Sequence, residues 1–402
     1  MRSDAREREQ RIDILRSRRG HVCELGKAGD PLITRHRPRK AIHADARPRT
    51  AYRRAKLGSV TAMHDRLGRQ LRDLRISVTD RCNLRCPYCM PREHFGPGFA
   101  FLPATELLTF DEIVRLAQAF CAHGVRKIRI TGGEPLLRAR LEQLVGMLDE
   151  IPQVAELALT TNGVLLARRA QVLKEAGLDR VTVSLDALDP AAFRAMSDAP
   201  LTPARVLEAI GAAIDAGLLP VKVNMVVRRA VNDHCVLEMA ERFRDMPGVV
   251  LRFIEYMDVG TTNGWQAQDV IPAAQILREI HARWPVQRME HAADGEVATR
   301  YRYKDGGGEI GVIHAVSNPF CASCTRARLS ADGRLHTCLY AADGTDLRAL
   351  VRSGASDREL AEAVAAAWRG RSDRYSAERF RRRSRPPRGT TPRAPEMSYI
   401  GG

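Results

Sequence analysis

A chain of 402 residues, 44% of them hydrophobic, is long enough for one large α/β domain or two ordinary ones and can bury a sizeable core without disulfides. It has no run of eighteen or more apolar residues and no basic-then-apolar start, which argues against a membrane span and Sec-type export and points to a cytoplasmic protein. The net charge of +16 sits at the ends: residues 1–62 hold 17 Lys/Arg against 7 Asp/Glu, residues 368–402 hold 10 against 3, and the stretch between carries −1, with no aromatic-interleaved basic groove, so no nucleic-acid partner is expected.

Residues 1–62 follow neither a helical nor a strand period and are rich in arginine, which predicts a disordered basic extension. Regular structure is predicted from Leu74. "LRISVTD" reads as a strand, followed by a cysteine loop and the helix "TFDEIVRLAQAFCAHG". The alternation then repeats: "KIRIT" before "GGEP" and a helix to Glu150, "ELALTTNG" before "VLLARRAQVLKEAG", "RVTVSLD" before a helix spanning Arg205 to Ala216, "VKVNMVV" before "HCVLEMAERFRD", and finally "VVLRFIEYM". Six such units over residues 63–265 predict an α/β fold with a partial (β/α)6 TIM-like barrel, six strands being too few to close a standard eight-stranded one; an open doubly wound sheet is the alternative. Residues 266–350 break the pattern and read as short strands and turns, and residues 351–402 as a C-terminal helix and a basic tail, "ERFRRRSRPPRGTTPRAP", ending in Gly401 and Gly402.

Six of the nine cysteines form two triplets. Cys82, Cys86 and Cys89 have the spacing C-x3-C-x2-C, and Cys321, Cys324 and Cys338 have C-x2-C-x13-C. Four thiolates or imidazoles close a structural zinc site, whereas three leave a position open for chemistry, and two open triplets in one chain favour two iron-sulfur clusters over two truncated zinc sites. A zinc-binding nucleic-acid module remains the rival from another class. Cys23, Cys121 and Cys235 read as small hydrophobes or spectators.

C-x3-C-x2-C followed by "TGGEP" is the signature of the radical S-adenosylmethionine (SAM) enzymes. With "DLRISVTDRCNLRCPYCMP", "KIRITGGEPLLR", "LTTNG", "VSLDALD", "LRFIEYM" and "FCASCTRARLSADGRLHTCL" in order, residues 65–350 together with the terminal "MSYIGG" resemble the GTP 3',8-cyclase family, which opens molybdenum cofactor biosynthesis. The resemblance implies a radical SAM barrel with a C-terminal auxiliary-cluster subdomain and two [4Fe-4S] clusters. Cys82, Cys86 and Cys89 would hold the cluster that binds SAM; Cys321, Cys324 and Cys338 would hold the one that binds guanine. It further implies SAM contacts at Tyr88, Gly133, Ser184 and Met257, and GTP contacts at Arg75, Arg129, Thr160, Lys222, Arg326 and Arg328, with Lys127 and Arg252 as weaker additions and Gly401 and Gly402 as catalytic positions.

The physical reading agrees at several points. Arginine forks suit a triphosphate, Arg326 and Arg328 alternate so as to face one way if extended, and successive glycines let a backbone approach SAM. The reaction implied is abstraction of the C3' hydrogen of GTP by a 5'-deoxyadenosyl radical and closure of C3' onto C8, giving (8S)-3',8-cyclo-7,8-dihydroguanosine 5'-triphosphate. Implied partners are cyclic pyranopterin monophosphate synthase downstream and a reductase or flavodoxin-type electron donor, with a homodimer compatible. A peptide-modifying radical SAM enzyme is the other enzymatic reading, one that needs neither the "TRAR" arginines nor a Gly-Gly end. Thr325 stands where the family commonly has Asn.

Overall fold

The computed structural model describes residues 62–290, 295–383 and 395–402, and for residues 381–383 the backbone alone. The basic extension predicted for residues 1–62 lies outside the described residues apart from Ala62, as do Cys23 and most of the Arg/Pro-rich tail.

The predicted strands form as β1 (Asp73–Ser77), β2 (Lys127–Thr131), β3 (Glu156–Thr161), β4 (Arg180–Ser184), β5 (Val221–Val227) and β6 (Val249–Glu255), each paired in parallel with the next. Helices cross between them: α1 (Phe110–Cys121), α2 (Leu141–Asp149), α3 (Ala170–Glu175), α4 (Pro190–Ser197), α5 (Pro203–Asp215) and α6 (Val236–Arg244). Their sequences explain the boundaries. Thr109 and Glu112 form a capping box at the start of α1, Asp189 caps α4 with Pro190 in its first turn, and Gly124, Gly177 and Gly217 follow α1, α3 and α5 with positive φ.

Six parallel strands are predicted, but the parallel run has eight. β9 (Glu309–Ile313) pairs in parallel with β6 at one end, and β10 (Arg326–Leu329) in parallel with β1 at the other. Antiparallel β7 (Val286–Arg288) and β8 (Thr299–Tyr303) extend the first end; β11 (Arg334–His336) and β12 (Thr345–Asp346) extend the second. The outcome is a twelve-stranded mixed sheet that is not closed. β9 and β10 were not legible as barrel strands because each pairs with a sequence-adjacent antiparallel strand, and no helix separates it from that partner. Residues 266–350 also hold an unpredicted helix, α7 (Ala273–Arg283).

Strand alternation positions the site. In β1, β2 and β5, Leu74, Ile76, Ile128, Ile130, Val221, Val223 and Met225 are fully buried in the core, while Arg75, Lys127, Arg129, Lys222 and Asn224, one residue out of phase, line a central cavity. The chain then continues through α8 (Leu347–Arg352), α9 (Asp357–Gly370), α10 (Tyr375–Arg383) and the short α11 (Met397–Ile400). Buried Trp368 on α9 donates its indole N–H to the Arg69 carbonyl at 3.1 Å, tying this region to the segment ahead of β1. Among the described residues, no helix is long and apolar enough to cross a membrane.

Candidate active site

A cavity of about 1000 Å³ runs along the inner face of the sheet, and every predicted site residue except Gly401 lines it. Its size is at the upper end for a small-molecule pocket, enough for more than one ligand.

At one end lies the loop after β1. The Cys86 carbonyl accepts the backbone N–H groups of Cys89 (2.9 Å) and Met90 (2.8 Å), folding the C-x2-C pair into a turn. The sulfur of Cys82 accepts the Leu84 N–H at 3.4 Å and faces the Asn162 side-chain amide at 3.8 Å. Burial, with nearby Glu134, pushes the Cys82 thiol up to about 11; burial and the neighbouring cysteines raise Cys86, and burial with Cys82 raises Cys89. Three thiols that oppose one another's ionisation need a metal-centred positive charge to become thiolates, so the donor set fits a cluster.

The "GGEP" turn seats this loop. A Cβ at Gly133 would lie 2.3 Å from the Arg81 carbonyl oxygen, so the missing side chain first admits the backbone of the cysteine loop. Buried Glu134 accepts from Leu136 N–H (3.0 Å), Thr161 hydroxyl (2.8 Å) and Asn162 N–H (2.8 Å), and its burial pushes it up to about 7. The Tyr88 hydroxyl donates to Asp186 at 2.7 Å, and both Tyr88 and Met257 pack against the buried cluster of Tyr256, Trp265, Val270 and Val316. Asp186, pushed up to about 6 by burial, also accepts the Val226 N–H at 2.8 Å. Ser184 ends β4 on the same wall.

At the other end the second triplet stands on the approach to β10. Cys321, Cys324 and Cys338 are partly exposed to the cavity. Arg326 Nη2 donates to the Cys324 sulfur at 3.4 Å, with its guanidinium over the Phe320 ring. Burial alone would raise the Cys324 thiol, but Arg326 and Arg371 outweigh it and bring it down to about 6. This thiol is already inclined toward the thiolate that a metal binds.

Between the triplets the cations gather. Arg75 is in register with Arg129 on one neighbouring strand and with Arg328 on the other. Burial lowers Arg75 well below its ordinary value, helped by Arg328, Arg326 and Arg129; burial with nearby cations brings Arg129 and Arg328 to about 10 and Arg252 to about 9. Lys222 falls to about 6 through burial and repulsion from Arg180, Arg252, Lys127 and Arg129. Arg129 Nη1 is anchored by the hydroxyls of Thr160 and Thr182, both at 3.0 Å. Guanidiniums at this density with so few carboxylates offer the donors and charge that a polyanion would take.

Residues not singled out from the sequence complete the walls. Arg180 lines the cavity, pairs with Glu156, and has a buried Nη1 with no hydrogen-bond partner among the described residues. Glu156 also holds Lys127 at 3.2 Å and is lowered to about 2, its burial outweighed by Arg180, Lys127 and Arg129. Their signal was a charged residue opening an otherwise apolar strand, "ELALTT" or "RVTVS".

The terminus enters the same space. The Gly401 carbonyl accepts a hydrogen bond from Arg328 Nη1, and the Gly402 carbonyl accepts one from the Thr131 hydroxyl at 3.4 Å. Two side chains pin the approach. Glu396 accepts from Thr261 N–H (2.9 Å) and the hydroxyls of Thr261 (3.1 Å) and Thr262 (3.0 Å), while the Tyr399 hydroxyl donates to Asp332 at 2.6 Å.

Comparison with known proteins agrees with this geometry. Residues 76–243 match the model of the radical SAM superfamily, and residues 249–377 match Molybdenum Cofactor Synthesis C. The chain is 55% identical over 359 residues to a GTP 3',8-cyclase of Acidothermus cellulolyticus, covering 85% of this chain and 99% of that protein. It is 46% identical over 344 residues to a GTP 3',8-cyclase of Staphylococcus aureus, covering 85% of this chain and all of that one. The solved structure of Streptococcus suis SuiB bound to S-adenosylmethionine shares the fold at a TM-score of 0.51 and 14% identity, over 74% of this chain and 68% of that one. The chain belongs to the GTP 3',8-cyclase family of radical SAM enzymes.

Proposed function

We infer that the cavity carries out the family reaction, conversion of GTP to (8S)-3',8-cyclo-7,8-dihydroguanosine 5'-triphosphate, the first step of molybdenum cofactor biosynthesis. The observation that carries this reading is the single cavity walled at its two ends by cysteine triplets and between them by buried cations. Two [4Fe-4S] clusters and SAM serve the enzyme; when bound, the first cluster and SAM supply one-electron chemistry able to take a hydrogen atom from the ribose.

The residues divide that work. Cys82, Cys86 and Cys89 hold the SAM-binding cluster, and Tyr88, Gly133, Ser184 and Met257 surround SAM. Arg75, Arg129, Lys222, Arg326 and Arg328, with Thr160 orienting Arg129, hold the triphosphate, and Lys127, Arg180 and Arg252 extend that set. Cys321, Cys324 and Cys338 hold the cluster that receives the guanine, and Gly401 and Gly402 close the site from the chain end. In domain terms, residues 63–265 form the radical SAM barrel, 266–350 the auxiliary-cluster and GTP-binding region, and 351–402 a C-terminal helix and basic tail ending in Gly-Gly. We further propose a flavodoxin-type or other reductase partner as electron donor, delivery of the product to cyclic pyranopterin monophosphate synthase, a homodimer and a cytoplasmic location.

Anaerobic incubation of reconstituted protein with SAM, GTP and dithionite tests the reading. Formation of 5'-deoxyadenosine coupled to GTP loss is expected; zinc with no inorganic sulfide in the purified protein, or SAM cleavage independent of GTP, would overturn it.

A further inference from the structure

Behind the second cysteine triplet stand two guanidiniums borne by no strand of the sheet. Arg69 precedes β1, and its side chain is 1% exposed. Its Nε donates to Asp65 Oδ2 at 2.6 Å, and its Nη1 to the carbonyls of Cys321 (3.0 Å) and Asp373 (2.7 Å). Arg371 follows α9 and is also 1% exposed. Its Nη1 donates to the Cys324 carbonyl at 2.8 Å, its guanidinium lies over the Trp368 ring, and it pairs with the same Asp65 oxygen at 3.5 Å. Segments 252 and 304 residues apart in sequence from Arg69 thus meet at one turn of the second triplet.

The charges here do not balance. Asp65, its side chain fully buried, is the one carboxylate among the described residues that both guanidiniums share, and it also accepts the N–H groups of Leu67 and Arg69, both at 2.9 Å. Asp373 approaches Arg371 only to 3.9 Å, is 34% exposed, and already accepts the Thr337 hydroxyl at 2.6 Å. Arg69 Nη2 and Arg371 Nε are buried with no hydrogen-bond partner among the described residues. A surplus buried cation is costly unless an anion lies nearby, and the thiolate-bound cluster implied at Cys321, Cys324 and Cys338 is that anion.

We propose that Asp65, Arg69 and Arg371 form an electrostatic clamp that fixes the Cys321–Cys324 turn and raises the reduction potential of the second cluster. Reduction adds negative charge to the cluster, so surplus positive charge beside it favours the reduced form. Removing a guanidinium lowers the potential, and removing the shared carboxylate raises it. The inference rests on the assignment of the second cluster to Cys321, Cys324 and Cys338.

The test is an EPR-monitored redox titration of the full chain carrying both clusters, with the Cys82→Ala chain identifying the second cluster's signal. Arg371→Gln is expected to shift the oxidised-to-reduced ratio at fixed potential about tenfold toward oxidised, 59 mV for a one-electron couple. Asp65→Asn should shift it the opposite way, and Arg371→Lys, which keeps the charge, should stay near wild type, with iron and sulfide unchanged in all three. Shifts of the same sign in Arg371→Gln and Asp65→Asn, no shift in either, or an Arg371→Lys chain that behaves like Arg371→Gln would overturn the clamp. Iron and sulfide for only one cluster in the wild type would instead overturn the cluster assignment, so the two failures are distinct.

Discussion

Arg328 donates its guanidinium N–H to the backbone carbonyl of Gly401, 73 residues further along the chain. The same guanidinium stands in register with Arg75 in the cation row proposed for the triphosphate. One arginine therefore touches both the cavity and the chain end, and under the proposed function it would link triphosphate binding to tail placement.

Gly401→Ala is expected to lower turnover more than GTP affinity. Gly401 has φ +75°, and a Cβ there would lie 2.1 Å from Thr131 Cγ2. With ψ 134° this backbone is one that residues bearing a side chain rarely adopt, costing an alanine about 1–3 kcal/mol, roughly fivefold or more in the docked tail, and the collision adds to it. Steady-state kcat beside a separate GTP-binding isotherm checks this; equal losses in both would make the tail a substrate ligand and no more.

The two cysteine triplets should fail differently. Cys82→Ala is expected to abolish 5'-deoxyadenosine formation, whereas Cys324→Ala should leave uncoupled SAM cleavage with no cyclised product. Chromatographic assay of 5'-deoxyadenosine and GTP in each variant decides it, and loss of both activities in Cys324→Ala with the first cluster loaded would contradict the division of labour.

The sequence showed the cysteines most clearly, because ligand spacing within a loop is a local property, whereas Arg75, Arg129 and Lys222 were legible through the family resemblance. Arg180 and Glu156 escaped notice: each opens its strand, where a charge reads as a boundary. Asn162 and Glu134 were given no role at the site, yet Asn162 approaches the Cys82 sulfur and Glu134 binds the Asn162 backbone. The link from Asp65 through Arg371 had no local signature at all, since it joins segments that only the folded sheet and α9 bring together.

Tyr399→Phe should loosen the tail without disturbing the barrel. The hydroxyl it removes donates to buried Asp332, which also accepts the Ser330 hydroxyl at 2.5 Å, so one bond is lost while the carboxylate keeps a partner. A loss of about 1 kcal/mol is expected, roughly fivefold in turnover. Hydrogen exchange at residues 397–402 should rise in step; unchanged exchange with reduced turnover would place the effect elsewhere.

GTP binding should take up a proton at Lys222. In the free cavity burial and four neighbouring cations hold this lysine near 6, so close to pH 7.5 it is mostly neutral. A bound triphosphate favours the ammonium and raises its pKa, so its contribution to affinity is fully present below about 6 and is lost as pH climbs through the higher bound-state value. Calorimetry near pH 7.5 in buffers of different ionisation heat should therefore register uptake approaching about one proton per GTP. Lys222→Met should bind more weakly at low pH and show a flatter pH dependence, because it lacks the group that gains charge. Undiminished proton uptake in Lys222→Met would assign the proton to another member of the cation row.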